Sequence, residues 1–447
     1  MKKLIKGGEI INEGRRIKRD ILIEADMIKK IGIAGEDIAS DNDTTIIDAS
    51  GMLVMPGIID DQVHFRDPGL THKADIHSET RAAVAGGVTS IMEMPNTKPQ
   101  TITIKALKEK QVRAMHTSLC NYSFYLGATN DNIDEIKKVD PLTTCGIKVF
   151  MGASTGNMLV DRQDSLRKIF REAPVLVACH CEDETTVQTN LQKYINRYGD
   201  NIPVEYHPEI RSREACLKSS SLAVKLAKEY NTRLHILHLS TADEMILFDN
   251  TTEAAYKKIT AEACVHHLWF DERDYSNKGT LIKWNPAIKT AGDRKALIES
   301  VVNNKIDIIA TDHAPHTTEE KNNPYTSAPS GGPLVQHSLA AMLELSKQGV
   351  ISIEKIVEKM CHNPALLFSV KDRGFIREGY KADICIVNPD SKWTVAKDNI
   401  LYKCGWSPFE GTSFTTRVEK TIINGEMAYD NGRINDNTRG ELLIFNR

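Results

Sequence analysis

The chain has 447 residues, with 60 acidic against 57 basic side chains and a formal net charge of −3. The two signs are mixed along its length, which excludes a basic stripe for nucleic acid and a polybasic segment for a membrane surface. No apolar run approaches the roughly 20 residues that cross a bilayer, and Met1-Lys2-Lys3-Leu4-Ile5-Lys6-Gly7-Gly8 lacks the apolar core of a secretion signal. Nine cysteines with no Cys-x-x-Cys pair fit reduced thiols. The expectation is a cytoplasmic protein that meets a small molecule, with no nucleic-acid or membrane partner.

Residues 1–55 read as short strands. Ile17 to Glu24 and Met27 to Ile33 are rich in β-branched residues and broken by Gly and Asp. Between 56 and 375, strand and helix patterns alternate, as in a parallel sheet with crossover helices. Eight strands are predicted, at 58–65, 88–95, 121–126, 146–151, 175–180, 234–239, 259–264 and 306–311. Helices are predicted over Asp75 to Ala85, Thr103 to His116, Arg213 to Tyr230, Asp293 to Asn304 and Leu334 to Gln348. Eight units predict a (β/α)8 TIM-type barrel, with a doubly wound open sheet as the alternative. A long polar stretch, Thr317 to Gly332, follows the eighth strand and is a candidate lid or substrate loop. Ala382 to Val387 and Glu419 to Glu426 return to strand texture. The simplest architecture pairs 1–55 with 376–447 in one composite β-sandwich domain beside a catalytic barrel at 56–375.

Barrel enzymes carry their active sites at the carboxyl ends of the strands. The first predicted strand runs into Gln62-Val63-His64-Phe65-Arg66, and alternation puts Gln62, His64 and Arg66 on one face. The fourth carries Lys148, the fifth ends at His180, the sixth at His238 and the eighth at Asp312. Taken alone, a strand-end histidine is more often hydrogen-bonded structure, and an aspartate there is a ready helix N-cap. Five strands ending in ligand types suited to zinc are harder to reconcile with that view. A lysine on a barrel strand is costly as a buried cation. As a neutral amine it captures carbon dioxide, and the resulting carbamate is a carboxylate able to bridge two divalent ions. Cys179 and Cys181 flank His180, but alternation turns them away from its face, which suits packing. Asn96, after the second strand, is able to hydrogen-bond a polar substrate. No Gly-x-Ser-x-Gly elbow and no phosphate-binding glycine motif is present.

These residues resemble the amidohydrolase superfamily, and within it the class I dihydroorotases, over nearly the whole chain. One signature is Gln62-Val63-His64-Phe65-Arg66-Asp67-Pro68-Gly69, where the family has His-x-His-x-Arg before Pro-Gly. The other is Ala310-Thr311-Asp312-His313-Ala314-Pro315-His316, with Lys321 beyond it, which matches without departure. The resemblance implies that His64, a carbamylated Lys148, His180, His238 and Asp312 bind one or two zinc ions. Asp312 would also shuttle the proton. Arg66, Asn96 and His316 would hold a substrate carboxylate, and Asn285, Pro329 and Ser330 would line the pocket. The implied reaction is the reversible cyclisation of N-carbamoyl-L-aspartate to L-dihydroorotate, and the implied assembly a homodimer. Arg66 argues against hydantoinase-type relatives, whose substrates lack that carboxylate, and allantoinases typically have Asn there.

The departure is Gln62, where the family has a histidine. An amide oxygen is a weaker zinc ligand than an imidazole nitrogen. Two readings compete with an active dihydroorotase: another cyclic amidohydrolase, and a non-catalytic homologue that scaffolds a partner enzyme such as a transcarbamoylase. Retention of Lys148, His180, His238, Asp312, Arg66 and His316 weighs against the scaffold.

Overall fold

The computed structural model describes residues 2–38, 43–152 and 158–447. Eight parallel strand positions close a barrel. They are β1 (Ile58–Val63), β2 (Val88–Glu93), β3 (Asn121–Phe124, resuming at Leu126–Gly127), β4 (Ile147–Phe150), β5 (Val177–His180), β6 (Leu234–Ile236), β7 (Ile259–Cys264) and β8 (Ile308–Ala310). Each pairs with the next in parallel register. A bridge between Val63 and His313 joins the last strand position to the first, and His64 N donates to His313 O at 2.7 Å.

Alternation sorts the strand residues into two layers. Ile147, Val149, Val177, Cys179, Leu234, Ile236 and Ile309 belong to the core shared with the surrounding helices. Ile59, Met92, Leu176, Ala178, Ile308 and Ala310 fill the interior together with Phe368 and Phe445. The packing role expected of Cys179 and Cys181 is therefore realised: both are buried in the outer core.

Local chemistry sets the helix boundaries. Asp75 caps Ile76–Ala85 and Thr103 caps Ile104–Thr117. Thr290 and Asp293 form a capping box, so the helix predicted from Asp293 begins at Ala291 and ends at Val302. The helix predicted from Leu334 begins only at Ser338. The backbone amides of Leu334 and Val335 are spent on His313 Nδ1, at 2.9 and 3.2 Å, and cannot enter a helix. Several barrel strands are shorter than predicted. β6 stops at Ile236, two residues before His238 turns to φ 38°.

Strands from both ends of the chain share one seven-stranded sheet: Glu9–Asn12, Arg15–Lys18 and Leu53–Pro56 join Ile384–Asn388, Arg417–Ile423, Glu426–Asp430 and Arg433–Ile434. A four-stranded sheet of Lys2–Lys6, Asp20–Glu24, Met27–Gly32 and Thr44–Asp48 faces it. Ile5, Ile21, Ile23 and Ile47 of the smaller sheet pack with Ile10, Val54, Ile384 and Ile422 of the larger. The single strand predicted over 17–24 is divided between these sheets. The chain crosses over at Arg19, and the Asp20 carboxylate accepts from Gly7 N at 2.8 Å and Ala34 N at 2.9 Å to fix the crossing.

Glu93 ends β2 and is paired with Lys110 of the following helix; both side chains are 1% exposed. Burial raises the Glu93 carboxyl to about 7, with Lys110 opposing the rise. Glu93 Oε1 also accepts from Phe65 N at 3.1 Å, which anchors the chain just beyond β1. Removing one partner of such a pair strands a buried charge. Lys110→Met is expected to cost about 3–5 kcal/mol in denaturant unfolding. Adding Glu93→Gln should restore more than half of that loss, and a single-variant cost below about 1 kcal/mol would contradict the assignment.

Candidate active site

The carboxyl ends of the strands surround a cavity of about 150 Å³. Gln62, His64, Arg66, Asn96, Lys148, His180, His238, Asn285, Asp312, His316, Pro329 and Ser330 all line it. The twelve residues assigned to the site from the sequence thus all reach one space. Phe150, Ala314 and Gly331 complete the lining. Phe150 is two positions beyond Lys148 on the same strand, and alternation would have found it.

The floor carries the ionisable groups. Lys148 is 1% exposed, and its Nζ lies over the Phe150 ring, 4.6 Å from the centroid. Burial lowers its pKa to about 8, although Asp312 pulls the other way. His180 Nδ1 and His238 Nε2 stand 3.0 Å apart. His180 Nε2 is held at 2.8 Å by Glu182 Oε2, a carboxylate also paired with Arg211. Burial opposes the charge on Glu182, but Arg211 and His180 outweigh it and hold the carboxyl at about 2. On the other side, His64 Nε2 lies 3.1 Å from Asp312 Oδ1, and His64 Nδ1 is 2.6 Å from Asn96 Oδ1. Burial keeps all three imidazoles below the usual histidine range, so they are neutral and able to ligate. Burial raises Asp312 to about 7, with Lys148 opposing.

Gln62 lines the cavity beside Asp312. Its Nε2 donates to Asp312 Oδ1 at 3.3 Å, and its Oε1 is 3.6 Å from Cys264 Sγ. Three residues around the cavity, Arg66, His238 and Asp312, hold left-handed backbone at φ 65°, 38° and 47°. Such strain gathers where side-chain direction matters more than backbone comfort. Gly69, which closes the first signature, has φ 85°, and a Cβ there would fall 1.7 Å from Lys98 O.

The rim carries a further set of charged and polar groups. Arg66 Nε donates to Pro315 O at 3.1 Å, and Nη2 lies 3.0 Å from His316 Nε2. Lys73 Nζ lies 2.9 Å from His316 Nδ1 and 2.9 Å from Glu320. The Asn285 Oδ1 atom is buried without a hydrogen-bond partner. Lys321, fully buried, donates to Gly331 O at 2.7 Å, Pro329 O at 2.9 Å and Lys283 O at 3.3 Å. It pins the loop expected to line the pocket. His313, inside the second signature, is structural: Nε2 meets Glu79 at 2.8 Å, and Nδ1 accepts the two amides that delay the next helix.

Imidazole nitrogens 3.0 Å apart, and a nitrogen and a carboxylate oxygen 3.1 Å apart, are a few tenths of an ångström closer than two ligands on one tetrahedral zinc ion, whose bonds are about 2.0–2.2 Å, so a small outward shift would seat an ion. His180 and His64 each have the outer nitrogen held, as metal-bound histidines do, whereas His238 Nδ1 is buried without a hydrogen-bond partner. The donor set fits divalent ions, and the barrel with this floor is that of a metal-dependent hydrolase.

The amidohydrolase family pattern matches residues 53–428. A dihydroorotase of Pyrococcus horikoshii is 31% identical over 442 residues, covering 99% of this chain and 95% of its own. A dihydroorotase of Clostridioides difficile is 34% identical over 440 residues, covering 96% and 99%. Among solved structures, the L-hydantoinase (dihydropyrimidinase) of Arthrobacter aurescens superposes with a TM-score of 0.93 at 27% identity, over 99% of each chain. The dihydropyrimidinase of Brevibacillus agri NCHU1002, at 22% identity, TM-score 0.88 and full coverage of both chains, shares the fold. The chain belongs to the amidohydrolase family.

Glu182 is the supporting residue that sequence reading missed, although it stands two positions after His180. Glu182→Gln should weaken metal binding about 10–100-fold in a chelator competition, as loss of an orienting carboxylate does. An unchanged affinity would mean that His180 is not oriented through Glu182.

Proposed function

We propose that this chain is a metal-dependent cyclic amidohydrolase acting as a dihydroorotase, interconverting N-carbamoyl-L-aspartate and L-dihydroorotate in pyrimidine biosynthesis. The observation that carries the reading is Arg66. Two of its nitrogens are fixed by Pro315 and His316, and among the described residues Nη1 has no protein partner. Arginine matches a carboxylate geometrically, and this one faces a cavity that hydantoin-type substrates, which bear no carboxylate, would leave with an unanswered cation. The naming of full-length relatives as dihydroorotases supports the same choice.

In this reading Arg66 and His316 hold the substrate carboxylate, with Asn96 and Asn285 as further polar contacts. The unpartnered Asn285 Oδ1 is an acceptor for a ring N–H. Pro329 and Ser330 form the facing wall, held in place by Lys321. Asp312 takes a proton and returns it to the departing nitrogen during hydrolysis, and its pKa of about 7 suits a group that must do both near neutrality. The Gln62 amide holds the Asp312 carboxylate in place.

Lys148 Nζ, as the free amine, adds carbon dioxide and releases one proton, which leaves a carbamate. The carbamate with His64 and Asp312 would hold one zinc ion, and with His180 and His238 a second. Ions bound there polarise the substrate carbonyl and lower the pKa of water. Gln62 offers the first position a neutral amide where an imidazole would bind more tightly. The first position is therefore the weaker, and preparations should hold between one and two ions around this cavity.

The purified, zinc-loaded protein should turn over dihydroorotate and leave allantoin and hydantoin essentially untouched. Preference for either of the latter would overturn the substrate assignment, and no turnover of any of them would favour the scaffold reading. Arg66→Met should lower kcat/KM for dihydroorotate by about a hundredfold or more, the loss of a charged hydrogen-bonded pair. Gln62→His should tighten zinc binding at the first position. An identical zinc titration in the two proteins would show Gln62 to be harmless.

A further inference from the structure

Beneath the cavity floor, a second set of ionisable side chains fills the barrel interior. Asp61, His235 and Glu262 come from β1, β6 and β7, and all three are fully buried. His235 Nε2 lies 3.3 Å from Asp61 Oδ2 and 3.6 Å from Glu262 Oε2. Neither contact is aligned as a hydrogen bond. His235 Nε2, both carboxylate oxygens of Asp61 and Oε2 of Glu262 are buried without a hydrogen-bond partner.

The second ring nitrogen sets the tautomer. Thr260 Oγ1 donates to Leu234 O at 3.2 Å, so it accepts from His235 Nδ1 at 2.8 Å. A neutral His235 then turns a lone pair, not an N–H, toward the two acids. Neighbouring donors are already engaged elsewhere. His238 N serves the other Glu262 oxygen at 3.0 Å, and Thr311 serves Asp60 at 2.6 Å. Unless His235 or an acid takes up a proton, four acceptor atoms from three side chains therefore converge with no donor among them, an arrangement that is costly in a dry interior.

A cation relieves it. A proton on Nε2 serves one carboxylate at a time and leaves one negative charge over while both acids are ionised, although burial lifts Glu262 to about 7, whereas a divalent ion balances both acids at once. The spacing also suits an ion. Bonds of about 2.0–2.2 Å place the ligands of a tetrahedral zinc about 3.3–3.6 Å apart, and the two observed separations are 3.3 and 3.6 Å. We infer that Asp61, His235 and Glu262 form a second, structural site for a divalent cation such as zinc, beneath the candidate active site and tying β1, β6 and β7 together. None of the three lines the cavity above, so the ion has no contact with substrate. Its position still matters there, because Asp61 precedes Gln62 and Glu262 holds the backbone of His238. In the metal-free protein burial disfavours a charge on His235, but Asp61 and Glu262 outweigh it and raise the imidazole to about 9. An ion enters by displacing that proton, and its binding strengthens with pH.

The test uses full-length protein crystallised with zinc, with diffraction recorded above and below the zinc absorption edge. The inference expects an anomalous peak between Asp61, His235 and Glu262, separate from any peak at His180 and His238. A map with peaks at the upper position and none between these three residues would overturn it in favour of an imidazolium held by two acids. In solution, Asp61→Asn should lower the zinc content by one ion per chain while the ions near Lys148 remain, and an unchanged content would likewise overturn the inference. The wild-type map stands even where the variant does not fold. Because the site is argued apart from the dihydroorotase reading, a protein inactive on dihydroorotate would still show or lack the lower peak.

Discussion

The barrel is organised around one costly placement, the amine of Lys148 in a dry interior. A buried ammonium is tolerated only when its charge is answered or given up. Here the surroundings do some of each: burial lowers the lysine to about 8, while Asp312 favours the charge. The same burial keeps His64, His180 and His238 neutral and lifts Asp312 to about 7. A floor of neutral imidazoles, a carboxylate lifted toward neutrality and an amine lowered toward it follows from one physical cause. In water each of these groups would titrate near its ordinary value, and the set would lose its use.

The rim solves a different problem with different materials. It is built from permanent charge and fixed backbone. Arg66 is braced by His316, which is braced by Lys73 and Glu320. Two lysines stitch the loop opposite: Lys321 binds Pro329 O and Gly331 O, and Lys283 binds Tyr325 O and Ala328 O. Below both, the paired chain ends brace the barrel. Asn121 of β3 donates to Asp383, and Arg373 and Asn424 converge on the same carboxylate. The proposed cation between Asp61, His235 and Glu262 would add a third level, binding strands whose upper ends carry Gln62 and His238.

Much of this was legible in the sequence. Period-two alternation and turn residues pointed to the barrel strands, and strand-end polarity, the two signatures and the family resemblance together pointed to twelve of the fifteen lining residues. What escaped depends on long-range partners. Nothing local says that the strand at 17–24 changes sheets at Arg19, because the cause is a carboxylate reaching Gly7 and Ala34. The helix after β8 starts four residues late because His313 takes its first amides. Glu182 stands beside a predicted ligand, yet its task appears only when His180 and Arg211 meet it in space. Asp61 was overshadowed by Gln62, its neighbour, and its partners lie on β6 and β7.

The account turns on the chemical state of Lys148, and carbon-13 labelling reads that state directly. Zinc-loaded protein equilibrated with carbon-13 bicarbonate should show one slowly exchanging carbamate resonance per chain, and Lys148→Ala should lose both that resonance and the zinc bound above the floor. A catalytically active, zinc-loaded protein with no carbamate resonance, or a Lys148→Ala protein with undiminished zinc, would contradict it.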